Sequence, residues 1–263
     1  MTVKQESGPI LITFPPSLDS ELGRLLLQHY AVHHTEQRHA FIFASLATLW
    51  HGYTVIFPLL YGESLRLTGP ASIAGYYDKH CEPGLRLWPD SPESRAQVES
   101  DWTLFNNSLA FATAVFAYYH LLPNRELMVG PLAEGAPPFE QSAVRRAYPV
   151  FAGLLRLLLR LNPQHVEQSI ALMRNIFSTV DTRLAGGRAY LVDDRLTLSD
   201  LAFAVAAAPA VLPSKYGGPM PPFDQMPREV QALVTEMRAH AAGAFALRIY
   251  QEHRERFGLS VAT

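Results

Sequence analysis

The sequence has very little cysteine, no large surplus of charge and no long apolar run. Its single cysteine, Cys81, cannot form a disulfide within the chain or a cysteine-rich zinc site. The formal net charge of −2 argues against a nucleic-acid partner, because phosphate recognition usually requires a surplus of basic residues. The ten histidines form neither an HExxH nor an HxH pattern, so we predict no metal site.

The apolar runs are too short for a membrane span. LAFATAVFAYY (109–119) and LAFAVAAAPAVL (201–212) are about a dozen residues each, whereas a spanning helix needs roughly 20. The first residues, MTVKQESGPI, lack the apolar segment of a signal peptide. We therefore predict a cytoplasmic protein without a membrane span. FAGLLRLLLRL (151–161) leaves two alternatives open, an interfacial helix or a core helix whose arginines reach solvent.

What the sequence does contain is typical of a folded globular protein. It has 263 residues, of which 48% are hydrophobic and 17% charged, enough for one large domain or two smaller ones. The first third mixes short apolar runs with helical spacing, in the order β-α-β-α-β-β-α. From residue 95 onward the spacing is helical, and loops rich in glycine and proline separate the helices. We predict an α+β fold with domains at 8–82 and 95–258, joined by a linker at 83–94.

One stretch of the first third, TVIFPLLYG (54–62), has a proline where a buried strand is expected. Proline cannot donate to a sheet ladder, so it is confined to strand starts, edges and bulges. The strand would therefore begin at Pro58.

Two motifs resemble those of the cytosolic glutathione transferases. VIFPLL followed by SIAGYY is similar to the family pattern Val-Pro-x-Leu…Ala-Ile-x-x-Tyr, in which the proline is cis. YLVDDRLTLSDLAFA (190–204) is similar to Gly-Asp-x-x-Thr-x-Ala-Asp-x-x-x-Ala, a capping box on a buried helix. The resemblance covers about residues 8–258. It implies a thioredoxin-like N-terminal domain, an all-helical C-terminal domain and glutathione as cosubstrate.

The resemblance also assigns the groups that would hold glutathione. Aligning GRLLL places Ser17 at the family's thiolate-stabilising position and Ser20 at the second cysteine of the thioredoxin Cys-x-x-Cys pair. A hydroxyl beside a helix N-terminus lowers a thiol pKa, although either serine could instead simply cap the helix. Phe57 and the cis Pro58 would offer backbone contacts to the cysteinyl unit. Arg38 would bind the glycyl carboxylate or else lie on the solvated surface.

At the start of the third helix the sequence departs from the family. Gly69-Pro70 replaces the usual Glu/Gln-Ser pair, and Pro70 has neither the hydroxyl nor the N–H that hold the γ-glutamyl carboxylate. Thr68, Ala71 and Ser72, with the free N–H groups of the helix, would have to compensate.

The second substrate would lie between the domains, along the predicted long helix 95–122. We expect Trp102, Phe105, Asn106 and Tyr118 to form a pocket for a small hydrophobic electrophile, although aromatic residues at helical spacing are also typical of a core.

The predicted function is conjugation or reduction of such an electrophile by a glutathione thiolate. The resemblance also implies a homodimer. The alternative is a non-catalytic module that binds a protein or a small ligand without glutathione.

Overall fold

A computed structural model describes residues 8–255, and the first of them form a small mixed sheet. Its strands are β1 (Ile10–Thr13), β2 (Thr35–Arg38), β3 (Leu59–Tyr61) and β4 (Arg66–Thr68). The strand order is β2-β1-β3-β4. β2 runs parallel to β1, and β3 is antiparallel to both β1 and β4. The helices of this domain are α1 (Leu18–His29), α2 (Phe41–Gly52) and α3 (Gly69–His80). This is the β-α-β-α-β-β-α order predicted above.

The rest of the described chain is helical. Its α-helices are α4 (Pro92–Trp102), α5 (Ala110–Leu121), α6 (Arg125–Val129), α7 (Pro138–Arg146), α8 (Tyr148–Leu158), α9 (Pro163–Leu184), α10 (Leu198–Val211), α11 (Arg228–Ala239) and α12 (Ala241–Glu255). Residues 123–140 contain α6 and the start of α7, and α7 is separated from α8 at Ala147, two residues before Pro149. The predicted domain limits 82 and 95 stay predictions, although α4 begins at Pro92, and residues 256–258 lie outside the described chain.

The surroundings of Pro58 account for a proline at this position. The Phe57–Pro58 peptide bond is cis. Strand β3 begins at the next residue, so the proline nitrogen is not required to donate a hydrogen bond within the sheet. The Pro58 carbonyl accepts a hydrogen bond from the N–H of Gly69 at 2.8 Å, which ties β3 to the start of α3. Gly23 of α1 lies over the proline ring, and a Cβ added there would come within 2.8 Å of its Cγ. A glycine is required at this close approach.

The expected long helix 95–122 is continuous but not uniform. Between α4 and α5, Thr103–Leu109 is π-helical. A π-helical turn holds an extra residue, so it changes which side chains face a given neighbour. Phe105 consequently points into the core, where it is fully buried and its ring centroid lies 5.1 Å from that of Phe203.

The predicted capping box is present at the start of α10. The Asp200 carboxylate accepts hydrogen bonds from the Thr197 N–H at 2.6 Å, the Thr197 hydroxyl at 2.8 Å and the Leu191 N–H at 2.8 Å. Burial nevertheless raises the pKa of Asp200 to about 6, and these donors offset only part of the desolvation. The motif anchors α10, which lies in the centre of the core and packs against α5 and α12.

Within residues 8–255, no helix combines the length and the apolar character needed to cross a membrane.

Candidate active site

A cavity of about 350 Å³ lies between the sheet domain and the helical domain. The first domain contributes residues from the β1–α1 loop, the start of α1 and the chain before Pro58. The second contributes the π-helical segment, α5 and the loop that follows α10. Most of the lining is aromatic, aliphatic, methionine or proline, and the polar lining side chains are Ser17, Asp19, Asn106, Asn107, Tyr118 and Tyr216.

Ser17 lies at the wall of this cavity and caps α1. Its extended backbone places it at the N-cap position, and its Oγ accepts a hydrogen bond from the Ser20 N–H at 3.4 Å. Accepting that bond leaves the hydroxyl proton free to be donated to a group in the cavity. Both sequence alternatives for Ser17, the cap and the cavity position, are therefore compatible.

Ser20 does not reach the cavity. It is fully buried, and its Oγ accepts a hydrogen bond from the Phe14 N–H at 3.2 Å. The expectation that Ser20 contacts a ligand is corrected for this reason: the side chain fixes the backbone at the end of β1.

Three phenylalanines of the first domain form an aromatic wall. The ring centroids of Phe14 and Phe41 are 5.5 Å apart, those of Phe14 and Phe57 are 5.8 Å apart, and those of Phe41 and Phe57 are 6.2 Å apart. All three residues line the cavity. Of these three residues, Phe57 alone was predicted from the sequence as a site residue. The available signal for Phe14 was its position directly after a strand.

The expected second-substrate residues separate into two groups. Asn106 and Tyr118 line the cavity, and so does Asn107, whereas Trp102 and Phe105 do not. The correction has a physical reason, because the π-helical segment turns Phe105 towards the core and the asparagines towards the cavity. Burial raises the pKa of the Tyr118 hydroxyl, so it stays neutral near pH 7.

Asp19, which was not predicted from the sequence as a site residue, adds a carboxyl group to the cavity from the first turn of α1. Burial raises its pKa to about 6 from an ordinary value of 3.8, and the Asn106 side chain across the cleft offsets part of this shift by hydrogen bonding. Only a long-range contact between α1 and the π-helical segment could reveal this environment.

Arg38 is occupied by protein acceptors. Its Nη2 donates to the carbonyl of Gly217 at 3.2 Å, and its Nε lies 3.2 Å from Oε2 of Glu36. The N–H of Gly217 in turn donates to Oε1 of Glu21 at 3.0 Å. Arg38 thus bridges the domains and holds the loop after α10, and it is not among the residues that line the cavity.

The loop after α10 covers one side of the cavity. Tyr216, Met220 and Met226 all line it. The loop approaches the first domain so closely that a Cβ at Gly218 would lie 2.2 Å from the Pro15 carbonyl oxygen. Glycine allows this approach because it has no side chain.

The predicted anion site at the start of α3 has few free hydrogen-bond donors. Pro70 is buried, and the Ser72 hydroxyl donates to the carbonyls of Thr68 and Gly69, the latter at 3.1 Å. Ala71 is exposed in the first turn of the helix. These residues and Pro58 lie outside the cavity lining.

Comparison with solved structures identifies the fold. The chain resembles the beta-etherase LigF from Sphingobium sp. strain SYK-6, with 14% identity, a TM-score of 0.58 and coverage of 92% of this chain and 99% of that one. It resembles a glutathione S-transferase-I bound with lactoylglutathione, with 15% identity, a TM-score of 0.55 and coverage of 92% and 99%. It also resembles FzlA from C. crescentus, with 15% identity, a TM-score of 0.57 and coverage of 95% and 94%.

These likenesses show that the chain has the glutathione transferase fold, with a thioredoxin-like domain followed by a helical domain. Comparisons with family models and with curated proteins give no match.

Proposed function

We propose that this protein is a glutathione transferase-like enzyme that conjugates or reduces a hydrophobic electrophile. One observation carries the proposal: Ser17, at the N-cap of α1, lines an apolar cavity between the two domains. A cavity with apolar walls and a few polar groups suits a small organic substrate.

Ser17 and the α1 N-terminus would stabilise the glutathione thiolate. The hydroxyl donates a hydrogen bond to the sulfur, while the helix dipole favours negative charge at the same place. Both effects lower the thiol pKa from its ordinary value of about 8.5. The thiolate then attacks the electrophilic carbon, a C–S bond forms, and the displaced electron pair leaves with the leaving group or is protonated.

The remainder of glutathione would bind along the first domain. Phe57 lines the cavity next to Pro58, so its backbone is placed to pair with the cysteinyl unit. The start of α3, with the N–H of Ala71, would bind a carboxylate in place of the pair that Gly69-Pro70 replaces. Arg38 would contribute by positioning the Gly217 loop. A dimer of two copies and a cytoplasmic location complete the proposal by resemblance.

A second candidate is a non-catalytic module that binds a ligand or a protein without glutathione. Two residues at the start of α3 favour this second candidate. Pro70 has no N–H, and the Ser72 hydroxyl donates to the carbonyls of Thr68 and Gly69. The start of α3 therefore offers fewer donors to an anion than a free serine would.

Calorimetric titration with glutathione, followed by the ultraviolet absorbance of the bound thiolate against pH, tests the proposal. Ser17→Gly removes the hydroxyl but keeps most of the capping stability, whereas Ser17→Ala removes both. We expect wild type to bind glutathione with a depressed thiol pKa, and both variants to return that pKa towards its ordinary value. Absence of binding at millimolar glutathione would overturn the proposal and favour the second candidate.

A further inference from the structure

The lining of this largely apolar cavity contains an acidic side chain but no basic one. Among the described lining residues there is no lysine, arginine or histidine, and the single carboxyl group is that of Asp19. A carboxylate in apolar surroundings loses hydration, and a nearby cation is the strongest compensation for that loss.

Neighbouring carboxylates of the same region do have such cations. Glu21, one turn along from the start of α1, forms ion pairs with Arg24 at 3.1 Å and with Arg254. Glu36 of β2 forms an ion pair with Arg24 at 2.8 Å and one with Arg38 at 3.2 Å. Among the described residues Asp19 has no ion pair of this kind, and the Asn106 amide is the side chain that offsets part of the rise in its pKa. The arginines of this region are therefore paired with Glu21 and Glu36, and none of them lines the cavity.

The position of Asp19 suits a ligand that is polar at one end. The β1–α1 junction and the π-helical segment bring Ser17, Asp19, Asn106 and Asn107 to the cavity, while Phe111, Leu155 and Met220 are among its apolar walls. The amide oxygens of the asparagines are acceptors, as is the carboxylate. A ligand group rich in N–H donors and positively charged would satisfy several of these acceptors at once.

We propose that the cavity binds an apolar molecule carrying a protonated amine, and that Asp19 binds its ammonium group. The inference rests on the proposed function only in calling this molecule the second substrate, and the binding itself requires no glutathione. Under the proposed function, the second substrate would be a hydrophobic electrophile that also carries a protonated amine.

The protonation of Asp19 sets the pH range of this binding. The other titratable side chains that line the described cavity are Tyr118 on α5 and Tyr216 on the loop after α10, and burial raises the pKa of both. Both tyrosines therefore remain neutral near pH 7. The pKa of about 6 at Asp19 means that amine affinity should be lost as the pH falls below that value. An aliphatic amine stays protonated up to about pH 10.

The test compares 4-phenylbutylamine with 4-phenylbutanol, which has the same apolar body and a neutral end. Each is titrated calorimetrically into the full chain without glutathione at about pH 7.5 and pH 5. We expect the amine to bind about 10- to 100-fold more tightly than the alcohol at the higher pH, as for a charge-assisted hydrogen bond, and the preference to shrink at the lower pH. This wild-type comparison needs no variant to fold.

Asp19→Asn should abolish the preference while leaving the alcohol affinity nearly unchanged. Glu99→Gln, which removes one negative charge at an exposed position of α4, should retain it. Equal affinities for the two probes, no binding of either, or a preference that survives Asp19→Asn would overturn the inference. A separate glutathione titration keeps the two proposals apart: amine preference without glutathione binding removes only the proposed transferase function, and the reverse result removes only this inference.

Discussion

His39 Nδ1 lies 2.7 Å from Oε1 of Glu140, and the other oxygen of this buried carboxylate accepts the Ala40 N–H at 2.8 Å. One side chain of α7 thus binds the residues between β2 and α2, joining the two domains beside the cavity. Glu140→Ala would leave a buried N–H without its acceptor. We expect the free energy of unfolding to fall by about 1–3 kcal/mol, measured by urea denaturation. Glu134→Ala, an exposed change nearby, is the control, and equal losses in both variants would contradict the assignment.

The cap on α1 predicts different stabilities for two Ser17 variants. Ser17→Ala should lower the free energy of unfolding by about 1 kcal/mol, and Ser17→Gly by only a few tenths, because glycine is itself a tolerated N-cap. Chemical denaturation measures both. If the two variants lose transferase activity equally while differing in stability, the hydroxyl acts in the chemistry and not only in the fold. Activity that tracks stability would assign Ser17 to the cap alone.

Pro70 predicts a gain of function. Pro70→Ser supplies both an N–H and a hydroxyl at the start of α3, where the native residue has neither. We expect glutathione to bind roughly tenfold more tightly or better, as one charge-assisted hydrogen bond allows. Pro70→Ala restores the N–H alone and should give an intermediate gain. Unchanged dissociation constants in calorimetry would show that a bound glutathione does not reach α3.

The partly buried carboxyl of Asp19 predicts a pH-dependent stability. Burial raises its pKa to about 6 from 3.8, so its contribution to folding is favourable at low pH and is lost as the pH rises through about 6. Asp19→Asn cannot ionise. Its stability relative to wild type should therefore increase by about 1–2 kcal/mol between about pH 4 and pH 7. Urea denaturation across this range provides the measurement, and a difference that is constant with pH would refute the shift.

Of the substitutions considered, Asp200→Ala should lower the free energy of unfolding the most. Asp200→Ala would remove the acceptor of two backbone N–H groups and one hydroxyl in the centre of the helical domain. We expect a loss of about 3 kcal/mol or more in the free energy of unfolding. Asp194→Ala, at an exposed position in the same loop, should change stability little. A small loss at Asp200 would mean that water replaces the capping box.

The sequence by itself determined the features that depend on local chemistry. Pro58 excluded a regular ladder and thereby located the start of β3, and the Thr197–Asp200 spacing located the start of α10, because capping is a contact between residues three positions apart. Ser17 was placed near the start of α1 by the resemblance of GRLLL to the family, with capping of the helix as the alternative role.

Only the tertiary structure decided which side chains share the cavity. The π-helical segment altered the helical phase, so Phe105 entered the core and Asn106 faced the cleft, which a period of 3.6 residues cannot foresee. The Arg38 side chain donates a hydrogen bond to the carbonyl of Gly217, which lies 179 positions further along the chain. The raised pKa of Asp19 likewise arises from walls contributed by both domains. Desolvation and long-range hydrogen bonds are properties of the folded chain, because they depend on residues that the sequence keeps far apart.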